Sequence, residues 1–370
     1  MKVIEIIKNR FLRKEPLSIY NLGWNGELDQ PRVLVSYLSD GFLREFKDFN
    51  FVSNRKECQL IVSAFIKLGY CVDVVDCRAS YNETTLKYDL IFGFGEYFRR
   101  SNLTHTGKRI LYLTEAPPEI SYSAELERCR YFYDRHKKKV GIERSHSYYV
   151  DNDIAISDFV ICLGEMHKQS LNELYNCKAD YLFPIGIPVA VEKKSFQPCK
   201  HILWFGSRGV IHKGLDLLID AIEEYPDWTL HVCGAEYKDI HKLMRIPKNV
   251  KIYGRINVNS ETFSKLINLC NYSFLLSCSE AVPTSVITTM KAGLIPVVGK
   301  NVGTIFEGSL IVDSIQPRDI GRLILSTYDN EENFIFECSN RISELANKTF
   351  SNENFIGKFL DIIKRIESET

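Results

Sequence analysis

The chain has 370 residues, 45% of them hydrophobic and 25% charged, with 47 Lys plus Arg against 47 Asp plus Glu. That length predicts two or three domains, each able to bury its own core, and the charge balance excludes a globally basic binder of nucleic acid or membrane, so any basic surface is local. Eleven cysteines are scattered, many of them inside apolar runs and with no C-x-x-C pair, which predicts buried reduced thiols rather than a disulfide framework. No stretch approaches the roughly 20 apolar residues of a membrane-spanning helix. MKVIEIIKNRFLRK lacks the apolar core of a signal peptide. A cytoplasmic location is expected.

Residues 1 to 14 predict an amphipathic helix, with Val3, Ile4, Ile7 and Phe11 on one side and Lys2, Lys8, Arg13 and Lys14 around it. It suits docking on the body of the protein or lying on an anionic membrane. From Arg32 short apolar strands alternate with helices. Strands are expected at Val33 to Tyr37, Val72 to Val75, Leu90 to Phe92, Ile110 to Leu113, Phe159 to Leu163 and Tyr181 to Phe183. After the first strand, SDGF reads as a loop. The next helix carries a capping-box spacing at Asn54 and Glu57, an apolar stripe through Leu60, Ile61, Ala64, Phe65 and Leu68, and a stop at Gly69.

Pro184 to Pro198 is a polar seam with three prolines, after which the alternation restarts. Strands are expected at Ile202 to Phe205, Leu230 to Cys233, Val250 to Tyr253, Phe274 to Leu276, around Val297 and Val298, and at Leu310 to Val312. Helices fall on Leu215 to Ile222, Phe263 to Leu269 and Pro283 to Gly293, and ENFIGKFLDIIKRIES closes the chain. The pattern predicts an α/β protein of two doubly wound, Rossmann-like domains in series with a ligand cleft between them. The expected division is a helical extension over 1–30, a first domain over 31–187, a linker over 188–199, a second domain over 200–345 and a closing helix over 346–370.

Two stretches carry chemistry. In ILWFGSRGVIHKGLDLL, Gly206 and Gly209 allow a tight turn after a strand, Arg208 and Lys213 are cations, and a helix begins near Gly214. Cations beside a helix N-terminus suit a diphosphate. A solvated loop is the alternative. In YSFLLSCSEAVPTSVITTMKAGLIPVVGK, one acid, Glu280, precedes a helix opened by Pro283. Two such loops on one sheet edge can share a ligand, with the cations at its phosphates and Glu280 accepting hydrogen bonds from vicinal hydroxyls. The implied ligand is a nucleotide sugar.

These stretches resemble retaining glycosyltransferases of the GT-B fold, the large glycosyltransferase family four, through FGSRGVIHKGLDLLIDAI and SEAVPTSVITTMKAGLIPVVG. The resemblance is clearest from about 200 to 312 and weaker over 31 to 187. It implies that Arg208 and Lys213 hold the diphosphate with Gly206 and Ser207, and that Glu280 contacts the donor sugar. It also implies that Ala281, Val282, Pro283 and Thr284 lie against sugar or phosphate, that the acceptor binds in the N-terminal half, and that no divalent metal is used. The family's second glutamate, which binds ribose, falls on Thr288. Its histidine has no clean counterpart, which leaves Glu115 of TEAPP as a positional candidate. Gly41 of SDGF matches the loop facing the donor phosphates, or is only a turn.

RCRYFYDRHKKKVGIER, residues 128 to 144, holds seven Lys or Arg against two acids. It reads as a solvated helix face, or as a surface for anionic headgroups or an acceptor diphosphate. GFGEYF at Gly93 to Phe98 lacks the third glycine of a dinucleotide loop. The eight histidines show no zinc spacing, and His212 adjoins the phosphate loop. The expected function is transfer of a sugar from a nucleotide diphosphate sugar to a glycan or lipid-linked acceptor, in synthesis of bacterial-type surface polysaccharide, with no metal cofactor, no nucleic acid and peripheral membrane contact at most. A catalytically inert scaffold of the same fold in a glycan assembly complex is the alternative.

Overall fold

The computed structural model describes residues 18–42, 53–150, 152–189, 195–303 and 306–369. The predicted helix over residues 1 to 14 and part of the polar seam lie outside them. The first sheet contains β1 (Ser18–Leu22), β2 (Arg32–Tyr37), β3 (Cys71–Asp76), β4 (Lys87–Gly93), β5 (Asn102–Leu113), β6 (Phe159–Leu163) and β7 (Ala179–Leu182), in the order β1-β3-β2-β4-β5-β6-β7. Its pairs are parallel except β1 with β3. The second sheet contains β8 (His201–Phe205), β9 (Thr229–Cys233), β10 (Val250–Gly254), β11 (Tyr272–Leu275), β12 (Ile295–Gly299) and β13 (Leu310–Val312), all parallel, in the order β10-β9-β8-β11-β12-β13. Every residue of β3, β6 and β11 is buried, as expected of parallel strands covered on both faces.

The helices that matter for the site are α1 (Ser53–Lys67), α2 (Pro118–His136), α3 (Glu165–Tyr175), α4 (Leu215–Glu223), α5 (Glu261–Leu269), α6 (Thr284–Lys291), α7 (Pro317–Ser326), α8 (Glu332–Thr349) and α9 (Asn352–Ser368). In both sheets the strand order reverses direction near the middle, between β2 and β4 in the first and between β8 and β11 in the second. Loops diverge at such a point and leave a crevice at the carboxyl ends of the strands. Here the two crevices face one another, which fixes the place of the cleft.

Helix α9 returns the chain to the first sheet. Phe359 is fully buried, with its ring 5.3 Å from that of Phe65 and 5.5 Å from that of Phe92, both edge-on. Tyr70 donates to Glu367 at 2.7 Å, and Arg365 pairs with Asp180. Burying one such phenylalanine contributes about 2 kcal/mol. The last helix of the chain therefore completes the core of the first sheet.

Several expectations change in detail. Ser18–Leu22, placed by the sequence in a helical extension, is an edge strand of the first sheet. SDGF is a single 3-10 turn, Ser39–Phe42. Asn54 lies inside α1 rather than ahead of it, and Glu57 makes no cap: its buried carboxylate accepts from Tyr37 at 3.3 Å, Tyr112 at 3.2 Å and the Ile185 amide at 3.1 Å. Gly93 serves packing, since a Cβ there would sit 2.0 Å from the Ser36 carbonyl oxygen. All eleven cysteines are free thiols.

Candidate active site

The wall built by the second domain starts where β8 ends. The Gly206 amide donates to the Cys233 carbonyl at 3.0 Å, and the chain then winds through tight turns in which Lys213 N donates to the Gly209 carbonyl at 2.8 Å. Gly214 has φ 65°, and a Cβ there would lie 2.3 Å from the carbonyl oxygen of Leu276, so only glycine lets the start of α4 abut the end of β11. That close approach brings Lys213, 4% exposed, onto Glu280 in a buried ion pair between Nζ and Oε1. The Glu280 backbone is pinned: its amide donates to the Asn301 carbonyl at 3.1 Å and its carbonyl accepts from Gly303 at 3.3 Å.

The first domain builds the facing wall around Glu125 of α2. Its buried carboxylate accepts from the amides of Glu143 at 2.8 Å, Arg144 at 3.1 Å and Ser145 at 2.8 Å, and from the Ser145 hydroxyl at 2.7 Å. Wrapping the loop on this carboxylate turns Arg144 into the cleft, where Nη2 pairs with Glu115 Oε1 at 3.1 Å. The stem of Arg144 touches the loop between β8 and α4, since a Cβ on Gly209 would meet Arg144 Cγ at 2.9 Å. From the other side His212 approaches Glu125 at 3.5 Å through Nδ1, while Nε2 is 2.7 Å from the Ser279 carbonyl oxygen.

Three carboxylates, Glu115, Glu125 and Glu280, thus interleave with three cations, Arg144, His212 and Lys213, drawn from both domains. Burial raises the Glu280 carboxyl, but Lys213, Arg144 and His212 outweigh it and hold it at about 2. Burial lowers His212, yet bonds to Cys278 and Glu125 bring it to about 9, so it is cationic at neutral pH. Burial lowers Lys213, against the pull of Glu280. Burial raises Glu115, with Arg144 opposing. Together these groups make a compact buried cluster of alternating charge.

Between the walls lies a cavity of about 410 Å³, within the range of small-ligand sites. The second domain lines it with Gly206, Ser207, Lys213, Glu280, Val282, Pro283, Thr284, Ser285 and Thr288, and the first with Tyr37, Asn54, Glu57, Phe94, Glu115, Arg144 and Tyr148 among others. The first amides of a helix have no partner within it, and the first turn of α6 lines this wall through Thr284 and Ser285.

Nine of the residues singled out in the sequence therefore meet here: Gly206, Ser207, Lys213, Glu280, Val282, Pro283, Thr284, Thr288 and Glu115. Three do not line the cavity. Arg208 is exposed on the loop between β8 and α4. Ala281 is 1% exposed and packs its carbonyl on Gly303. Gly41 is buried against Arg55, and its carbonyl accepts from Gln59 at 2.6 Å. Thr288 lines the cavity, but its hydroxyl donates to the Thr284 carbonyl at 2.7 Å within its own helix.

The basic segment is divided: Arg130, Lys137, Lys138 and Lys139 are exposed, as a solvated face requires, while Arg128, Arg135 and His136 turn inward. Arg128 donates to the Leu276 carbonyl at 3.0 Å, Arg135 pairs with Asp216 and Asp220 of α4, and His136 stands 2.9 Å from Asp220. These groups tie the two domains together, because the last turn of α2 sets Arg135 and His136 against the acids of α4. Lone composition could not show this, since the acids lie some eighty residues away.

Sequence reading missed Arg144, Glu125, Glu57 and Tyr148 as site residues. Glu57 had a readable signal: it falls on the apolar stripe of α1, one turn before Ile61, and a carboxylate on a buried stripe needs partners. Arg144 was read only as the last cation of the basic run over 128 to 144, not as a residue of the cleft, and Glu125, on a polar-looking helix, had no signal.

With the geometry in hand, comparison with known proteins gives a consistent answer. Residues 189–335 match the family model described as Glycosyl transferases group 1. No curated protein sequence matches the chain. Among solved structures, the chain is similar to sucrose-phosphate synthase from Thermosynechococcus elongatus, at 13% identity and TM-score 0.65 over 92% of this chain and 100% of that one. It is also similar to Anabaena HepE in complex with UDP and glucose, at 12% identity and TM-score 0.58 over 91% and 100%. WaaG, a glycosyltransferase involved in lipopolysaccharide biosynthesis, matches at 13% identity and TM-score 0.55 over 90% and 99%. The architecture is that of GT-B glycosyltransferases, and the similarity to Glycosyl transferases group 1 lies in the second half of the chain. Among the described residues no helix is long and apolar enough to cross a membrane.

Proposed function

We propose that this protein is a glycosyltransferase that moves a sugar from a nucleoside diphosphate sugar to a glycan or lipid-linked acceptor, with retention, in surface polysaccharide synthesis. The observation that carries the reading is the Lys213–Glu280 pair at the mouth of two helices on one sheet edge, inside an interdomain cavity of ligand size. The group 1 match supports the class, and the UDP and glucose of the HepE structure suit such a cavity.

In this reading Lys213, the α6 amides and the exposed Arg208 of the same loop stabilise charge gathering on the departing diphosphate. Glu280, ionised and fixed at its backbone, holds sugar hydroxyls and aims the anomeric carbon at the acceptor. The bond from that carbon to the phosphate oxygen breaks as the acceptor oxygen attacks from the same face, and the acceptor proton passes to the departing phosphate. The acceptor enters along the first domain, past Tyr37, Phe94 and Tyr148. Side-chain cations and helix amides replace a divalent metal, so transfer is expected to persist in EDTA. Work on the cytoplasmic side of a membrane, without insertion, fits a lipid-linked acceptor.

A second reading, an inert scaffold of the same fold, draws on Thr288, whose hydroxyl is committed to its own helix, and on Arg208 outside the cavity. Thermal unfolding of the purified protein against UDP, GDP, ADP, dTDP and CMP and their common sugar conjugates tests the proposal. A ligand at about 100 times its dissociation constant adds roughly 2.7 kcal/mol of stability. Stabilisation by one nucleotide class is expected; none across the panel would leave the scaffold reading in its place.

A further inference from the structure

Of the cations inside the cleft, Lys213 is matched to Glu280, His212 to Glu125 and Arg144 to Glu115, while Arg208 stands exposed outside the cavity. Both phosphates of a nucleoside diphosphate are ionised, so a cation within the cleft can join Arg208 at them only by leaving its present partner. Lys213 is the costlier choice, because its side chain is 5% exposed and Glu280 would be left buried without it. Arg144 is the cheaper one. Its side chain is 21% exposed, it lines the cavity, and its Glu115 partner is 22% exposed.

Geometry favours Arg144 further. Its stem already touches Gly209 of the phosphate loop, and its backbone is fixed by the Glu125 carboxylate, which holds three successive amides. A guanidinium on a rigid base needs only a side-chain rotation to offer a bidentate fork to a phosphate. Glu125 also meets His212 of the phosphate loop, so the cradle that aims Arg144 is itself registered against the second domain.

We propose that Arg144 is a third cation for the donor diphosphate, supplied by the first domain, and that it exchanges Glu115 for the phosphate when the donor binds. This rests on the donor-binding reading above and extends it: the diphosphate is gripped from both domains, and Glu115 is its competitor for the arginine rather than a contact to it. Glu125 acts as a positioning residue through the loop it holds.

The test is calorimetric titration of the full chain with UDP and with GDP, comparing wild type, R144Q, R144K and E115Q, after thermal unfolding without nucleotide has shown that each variant folds. Loss of a charged hydrogen-bond donor predicts affinity for the preferred nucleotide about tenfold or more weaker in R144Q, with R144K in between. Freed from its competitor, Arg144 in E115Q is expected to bind about threefold or more tighter. Opposite signs in R144Q and E115Q support the proposal. Equal weakening in both would make the pair a structural brace and overturn it. Unchanged affinity in R144Q would overturn it while leaving the donor reading intact, whereas failure of wild type to bind either nucleotide would remove both.

Discussion

At the scale of single residues, Lys213 and Glu280 act as one unit, and their substitutions separate by what each leaves behind. Lys213→Ala strands a buried carboxylate, a change that destabilises by about 3 kcal/mol, although Arg144 and His212 remain close to it. Glu280→Gln keeps the shape but leaves the Lys213 ammonium buried without its carboxylate, a cost of the same order, about 3 kcal/mol. Glu280→Gln is expected to lower sugar transfer by about 100-fold or more, measured below the lowered unfolding midpoint of the variant. Glu57 makes a second prediction, of pH dependence. Its burial, only partly offset by bonds from Ile185, Tyr112 and Tyr37, lifts the carboxyl to about 7. The folded value lies above the unfolded one, so the stabilising contribution is complete below about 4.3 and is lost as pH rises through about 7, a loss of about 3 kcal/mol. Denaturant titrations of wild type against Glu57→Gln at pH 5 and pH 8 are expected to show the wild type losing that stability relative to the variant; parallel curves would refute it. The charged loops were readable in the sequence because glycine, cation and acid each have a distinct local reason to stand there. Glu57 was misread as a cap because the spacing of a capping box and that of a helical stripe coincide.

Among elements, α2 is the part whose meaning changed most. Its charges read as a solvated or membrane-facing surface, and in the fold Arg135 and His136 instead meet Asp216 and Asp220 on α4. Asp216 is fully buried, with one carboxylate oxygen unpaired among the described residues. Arg135→Ala is expected to cost about 3 kcal/mol by leaving that charge without its main partner, measurable by urea denaturation, while an exposed neighbour such as Lys139→Ala changes stability by less than about 0.5 kcal/mol. The strands and most helices were legible because apolar runs of strand length alternate with amphipathic helices. The edge strand β1 was not, since Ser18–Leu22 alternates weakly and leaves two of its five residues exposed. Nor could periodicity tell that α9 belongs to the first sheet: its stripe shows that it is buried but not against what. Removing α9 after Phe350 would bare the ring cluster of Phe65 and Phe92, and is expected to yield an aggregating or unfolded chain.

For the whole molecule, two facing switch points make a cleft whose walls are joined by buried ion pairs as well as by an apolar core continuous between the two domains. His212 at about 9 and Glu125 at about 2 keep their pair ionised between those values, so the domain contact is expected to hold through neutral pH and to loosen above about 9, as His212 loses its proton. Ion pairs that open and close with modest energy suit a site that must admit a donor and then exclude water. The central claim is sugar transfer in this cleft. Its most direct measurement is mass-spectrometric detection of product from the full chain, given a nucleoside diphosphate sugar selected by stabilisation and a set of short glycan and lipid-linked acceptors, with Glu280→Gln alongside. The account predicts one added hexose unit on an acceptor and stoichiometric release of nucleotide, both about 100-fold slower in the variant. Nucleotide release at equal rates with and without any acceptor, or transfer undiminished in Glu280→Gln, would contradict it.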